Sequence, residues 1–139
     1  MDVIRLPDQF NGRKNSSNIS DFIVYKYPSV YYLEAKSRHG NVFSLSDFCQ
    51  YERLLGKSGI RGVHPCVILW FTDHDKVIFF PIEAIKKMKE DGLKSINIKT
   101  YDQYDHIDIP SKKKRVFMDS DYRPMLEYCK KLDEEVQVN

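Results

Sequence analysis

Two apolar arms on either side of Tyr27-Pro28-Ser29 constrain the fold of this chain more than any other stretch. The first arm reads Asp21-Phe22-Ile23-Val24-Tyr25 and the second Val30-Tyr31-Tyr32-Leu33-Glu34-Ala35-Lys36. Pro28 pre-sets its own dihedral and removes a donor, so the chain turns there and a β-hairpin is expected. Side chains alternate faces along a strand, which puts Glu34 and Lys36 on the same side. Pairing across the turn then brings Asp21 close to Glu34. Two carboxylates beside a lysine can hold a hard divalent cation and stabilise charge at an attacked phosphate. The same pattern also arises as an exposed strand end with a surface Glu/Lys pair, which contributes little. Glu34 follows four apolar residues, however, and this predicts a central strand rather than an edge.

The rest of the chain reads as strands and helices in alternation. Residues 2 to 6 suggest a short strand, and 7 to 20 a polar loop. Ser46 is a suitable cap for a helix over 47–56, with Phe48, Tyr51, Leu54 and Leu55 on its buried face and Gly56 at its end. Pro65 to Phe71 and Val77 to Phe80 read as strands around the polar turn Thr72-Asp73-His74-Asp75-Lys76. A helix runs from Pro81 or Ile82 to about Glu90 and stops at Gly92. Residues 93 to 110 are turn-rich, Arg115 to Met118 reads as a strand, and Arg123 to Val136 as a last helix. Met125, Leu126, Cys129 and Leu132 share one face of that helix. This order predicts a single α/β domain over 1–139, with a mixed central β-sheet flanked by α-helices.

Composition narrows the function classes. The length of 139 residues suits one core, and nine Tyr with eight Phe exclude a disordered chain. Three scattered cysteines without a Cys-x-x-Cys argue against a zinc cluster and against a disulfide-stapled module. With no signal peptide and no membrane-spanning stretch, a soluble protein of a reducing cytoplasm is expected. A formal charge of +2 is small, so its distribution matters more. Lys112, Lys113, Lys114 and Arg115 form one dense block, and Arg5, Arg13, Lys14, Lys36 and Arg38 gather around the proposed site in sequence. Such clusters suit phosphate backbones, although a charge block before a strand is as readily a solvated loop.

Further pieces follow the hairpin in a fixed order: Phe43-Ser44-Leu45, the helix from Ser46, then Gly59 and Gly62 leading into Cys66 to Phe71, and Lys94-Ser95-Ile96. Together with Asp21 and Glu34-Ala35-Lys36, this order resembles the RecU-type Holliday-junction resolvases, within the PD-(D/E)xK nuclease superfamily. The resemblance covers roughly residues 19 to 109. It implies a restriction-endonuclease-like fold and a Mg²⁺- or Mn²⁺-dependent endonuclease that cuts four-way DNA junctions in recombination and repair. It implies Asp21 and Glu34 as metal ligands with a backbone oxygen at Ala35, and Lys36 as the residue that orients the attacking water. Gln50 or Glu52 on the following helix would position that water from behind. Arg13, Lys14, Arg38 and the 112–115 block would grip phosphates without reading sequence. Two symmetric cuts imply a two-fold homodimer. The chain departs from the family in opening with a strand-like segment where a helix carrying another acid is usual, and in having only a short polar loop before Asp21.

That departure motivates a second expectation: a nuclease-fold phage protein without activity, which binds DNA or a host protein, for example as an antagonist of host defence. A sequence-specific restriction-type enzyme is a third. Among other candidates, His39 follows Lys36 closely enough to reach a phosphate but is more simply a solvated loop histidine. Asp73, His74 and Asp75 suggest either a metal loop or an ordinary Asp-rich turn, and the turn is favoured. No phosphate-binding glycine loop and no nucleophile elbow is present.

Overall fold

The computed structural model describes residues 2–6, 21–114, 117–120 and 123–138. A mixed six-stranded sheet runs in the order β1 (Asp2–Arg5), β2 (Phe22–Lys26), β3 (Ser29–Arg38), β5 (Val63–Phe71), β6 (Lys76–Pro81) and β8 (Ile107–Ile109). Neighbours pair antiparallel except β3 and β5, which run parallel over nine register pairs from Val30↔Val63 to Arg38↔Phe71. A parallel pair needs a crossover. Here it contains β4 (Val42–Ser44), a 3-10 turn at Leu45–Asp47 and α1 (Tyr51–Leu55). Two small ladders complete the strands: β4 with β7 (Ser95–Asn97), and β9 (Ser111–Lys114) with β10 (Phe117–Ser120).

The expected α/β architecture with a mixed sheet is therefore present. Helices α1 and α2 (Ile82–Glu90) cover one face of the sheet, and α3 (Arg123–Val138) covers the other. Strand β5 explains why both faces are dry. Val67, Leu69 and Phe71 point to one side and pack with Leu54, Ile82, Ile85 and Met88. Cys66 and Ile68 point to the other and pack with Met125, Leu126 and Cys129. A strand buried on both faces reads as a continuous apolar run, and Cys66 to Phe71 is one.

Local expectations fared unevenly. The hairpin, the β5–β6 pair and α2 form where their patterns place them. The helix expected over 47–56 is only Tyr51–Leu55, preceded by the 3-10 turn. Ser46 caps nothing, because its hydroxyl lies 2.8 Å from that of Ser44. Phe48 is already spent on the core, its ring 4.6 Å from Phe43, and this fixes the chain before a helix can begin. The single late strand expected over 115–118 is instead the hairpin of β9 and β10, with residues 115 and 116 outside the described set.

One polar knot anchors α3 to the sheet. Asp133 accepts hydrogen bonds from the Ser29 hydroxyl (2.7 Å), the Gly62 N–H (3.2 Å) and the His64 Nε2–H (2.9 Å). Gly62 has φ +78°, and a Cβ there would lie 3.1 Å from the Pro28 carbonyl oxygen, so the approach requires glycine. Burial alone would raise the Asp133 carboxyl, but bonds from Ser29, His64 and Gly62 overcome it and hold the group below its ordinary 3.8. A depressed carboxyl stabilises the fold above its unfolded value and loses that contribution as pH falls through the folded one. Asp133→Asn is therefore expected to lower the unfolding free energy at pH 7 by about 1–3 kcal/mol. The gap to the parent should narrow at about pH 3 in parallel denaturant titrations. An equal gap at both pH values would show that the charge contributes nothing.

Candidate active site

The β2–β3 ladder ends at Phe22↔Leu33, and the residues just beyond it build the site. Asp21 is pinned through its backbone: its N–H donates to the Leu33 carbonyl (3.0 Å), and its own carbonyl accepts from Leu6 N–H (2.9 Å). Its side chain takes over where the ladder stops, with Oδ2 accepting the Ala35 N–H at 2.9 Å. A carboxylate thus stands where a strand carbonyl would have been, immediately beside Glu34.

Glu34 and Lys36 leave β3 on the side covered by α1 and α2, in line with Tyr32 and opposite to Leu33. Strand β3 is interior, flanked by β2 and β5, and Glu34 is only 2% exposed. Lys36 Nζ lies 3.3 Å from Glu34 Oε1, with about a third of the lysine side chain open to solvent (32%). The other oxygen, Oε2, is buried and has no hydrogen-bond partner among the described residues. Burial pushes the Glu34 carboxyl above its ordinary 4.5; the neighbouring Asp21 charge adds to the rise, and Lys36 opposes it. An unpartnered buried carboxylate oxygen is costly. Such an atom, beside a second carboxylate, is what a hard divalent cation requires of its ligands. The residues present fit such an ion. Among the described residues no cluster of three or more His, Cys, Asp or Glu is arranged for a metal.

The remaining expected residues divide into three groups. Arg38 remains exposed; its guanidinium pairs with Asp47 and lies over the Phe43 ring (5.0 Å), tying the end of β3 to the 3-10 turn. Gln50 precedes α1 and Glu52 lies exposed in its first turn; among the described residues neither side chain bonds to Asp21, Glu34 or Lys36. Of Ala35, expected to offer a backbone oxygen, the contact seen is its N–H to Asp21. Arg13, Lys14 and Arg115 lie outside the described residues, as do the side chains of Lys112, Lys113 and Lys114.

The second loop cluster is a structural join. Asp73 accepts the Gly40 N–H (2.6 Å) and sits 3.3 Å from His39 Nδ1, which is 2.8 Å from the Thr72 hydroxyl. The Gly40 bond and His39 hold the Asp73 carboxyl below its usual value. His74 Nε2 meets Asn41 Oδ1 at 2.6 Å. The turn after β5 is thereby stitched to the loop after β3, as an Asp-rich turn would be, and Asp75 takes the left-handed conformation (φ 49°). Sequence reading missed the Ser29–His64–Asp133 knot, because its members lie 69 and 104 residues apart along the chain. Along the chain Asp133 is only the first acid of the run Asp133-Glu134-Glu135, with nothing that points to its partners.

No family model matches this chain, and no curated protein matches it. Among the described residues no helix is long and apolar enough to cross a membrane.

Because the folded Glu34 carboxyl is raised, its ionised form opposes folding above the unfolded value near 4.5. With divalent ions chelated, Glu34→Gln is expected to be more stable than the parent by about 1 kcal/mol at neutral pH. The difference should shrink as pH falls towards that unfolded value, as thermal melts would read. A less stable Gln variant at neutral pH would mean that Lys36 and the neighbouring dipoles compensate the buried charge.

Proposed function

We propose that this chain is a metal-dependent DNA endonuclease of restriction-endonuclease-like fold, with a resemblance to the RecU-type junction resolvases. The observation that carries the reading is the buried, unpartnered Oε2 of Glu34, held beside Asp21 and Lys36 at the end of a hairpin. A buried carboxylate oxygen without a hydrogen-bond partner among the described residues costs stability, and such costs concentrate at working sites. The parallel β3–β5 pair at the centre of a mixed sheet, with helices on both faces, is compatible with that fold.

Asp21 and Glu34 would hold Mg²⁺ or Mn²⁺, which when bound supplies Lewis-acid charge at the attacked phosphate. The protein's own contribution is positioning. The Ala35 N–H fixes the Asp21 carboxylate, and the β3 pleat aligns Lys36 with Glu34. The Lys36 ammonium, partly open to solvent, can orient a water and neutralise negative charge that grows on phosphate oxygens. Four-way DNA junctions are the substrate this reading favours, cut by a homodimer.

The second reading, an inactive nuclease-fold protein that binds DNA or a host protein, is favoured by two observations. Among the described residues no group of three or more His, Cys, Asp or Glu could hold a metal, and Arg38 is engaged by Asp47. Incubating a four-way junction and a linear duplex with Mg²⁺, with Mn²⁺ and with chelator separates the two readings. Metal-dependent nicking of the junction is expected, falling by roughly 10³-fold or more in Asp21→Asn, Glu34→Gln and Lys36→Ala. Cleavage that persists in Glu34→Ala would reject this site, and no cleavage with either metal would favour the binding protein.

A further inference from the structure

Strands β2 and β3 carry apolar side chains on both faces, although only the α3 side enters the core fully. There Val24, Tyr31 and Leu33 are buried. Residues paired directly across a ladder share a face, so the register gathers Ile4, Ile23, Tyr25, Val30 and Tyr32 on the opposite side. Helices α1 and α2 pack on β5 and β6 there. The core beneath them takes nothing from β1 or β2, and from β3 only a partly buried Tyr32 packs against it.

The result is an apolar field in water, with Ile4 55% exposed and Tyr25 46%. An antiparallel sheet ordinarily turns polar side chains to solvent, and a contiguous apolar field left there marks a surface that is covered in use. The Tyr25 and Tyr32 side chains make no hydrogen bond or ring contact among the described residues. On β3 the row continues past Tyr32. Val30, Tyr32, Glu34 and Lys36 follow one another on one face, at steps of roughly 7 Å. The field therefore runs directly into the carboxylate pair and its lysine.

Its charge selects the occupant. Asp2, opposite Tyr25, is the only charged side chain that β1, β2 and the start of β3 turn to this face. A duplex presents its phosphates, and this surface offers them no cation before Lys36. An unpaired strand presents the faces of its bases, for which exposed aromatic rings are a sequence-tolerant platform. We infer that this face takes up unpaired nucleotides of the DNA strand whose phosphate lies at Asp21, Glu34 and Lys36, with bases laid on Tyr25 and Tyr32. The inference rests on the nuclease reading for the place of that phosphate, and it narrows the substrate. A branch point with single-stranded nucleotides beside the cut is preferred to continuous duplex.

Fluorescence anisotropy of the full chain tests it, with divalent ions chelated, on labelled oligothymidine of about 12 nucleotides and on duplex of equal length. The single strand is expected to bind more tightly than the duplex. Tyr25→Ala and Tyr32→Ala should each weaken single-strand binding about fivefold or more. Tyr25→Phe and Tyr32→Phe keep the ring face and should bind as the parent does. Tyr25 is exposed, so its Ala variant is expected to fold. No single-strand binding up to about 1 mM protein, or Ala variants that bind like the parent, would overturn the inference. So would a Tyr25→Ala chain that loses self-association in sedimentation but keeps its oligonucleotide affinity, which would give the face to a second copy. The nuclease reading fails separately. Tyrosine-dependent binding without cleavage under Mg²⁺ or Mn²⁺ would remove the cutting and keep the platform. Junction cleavage without tyrosine dependence would reject the platform and keep the metal site.

Discussion

The position of β3 between an antiparallel and a parallel neighbour is the constraint on which the rest of this structure depends. Nine register pairs to β5 and five to β2 hold the strand on both sides. An interior strand has no edge to solvate its polar side chains, so Glu34 is held in a dry place by hydrogen bonds that it does not itself make. The cost of that burial is met by the ladders on either side and by two apolar layers. Only such a well-supported strand can hold a carboxylate oxygen without a partner.

The two ends of β3 do different work. At its start, Ser29 is tied to Asp133, and the Val30 N–H bonds to the Gly62 carbonyl at 2.7 Å, which joins the hairpin turn to α3 and to the loop before β5. At its far end, Arg38 is tied to Asp47 and its carbonyl accepts from Thr72, which joins it to the crossover and to the β5–β6 turn. Between these anchors lie Glu34, Ala35 and Lys36. The strand is held at both ends, and this keeps the relative placement of Asp21, Glu34 and Lys36 independent of long side-chain tethers. Preorganisation of this kind favours chemistry that depends on positioning.

Much of this was legible along the chain. Val30 to Leu33 announced an interior strand, the alternation put Glu34 and Lys36 on one side, and Pro28 marked the turn that returns the chain past Asp21. The apolar runs of β5 and β6 and the periodicity of α2 were equally plain. Legibility failed where a residue's partner was remote. Ser46 looked like a cap, but packing of Phe48 against Phe43 decided the local path. The ion pair of Arg38 with Asp47 on the crossover had no sign along the chain. His64 carries no mark in the sequence, and it is one of three donors to a carboxylate 69 residues away.

The sequence by itself determined the hairpin, the shared face of Glu34 and Lys36, and the alternation of strands and helices, because each follows from dihedral preference or from a periodicity of two or 3.6 residues. Only the tertiary structure decided that Glu34 would be dry, that Asp21 would replace a strand carbonyl at Ala35, and that Asp133 would gather Ser29, Gly62 and His64. These are properties of what surrounds a group. Burial and electrostatic partnership are set by residues distant in the chain, brought together by the sheet and the layers packed upon it.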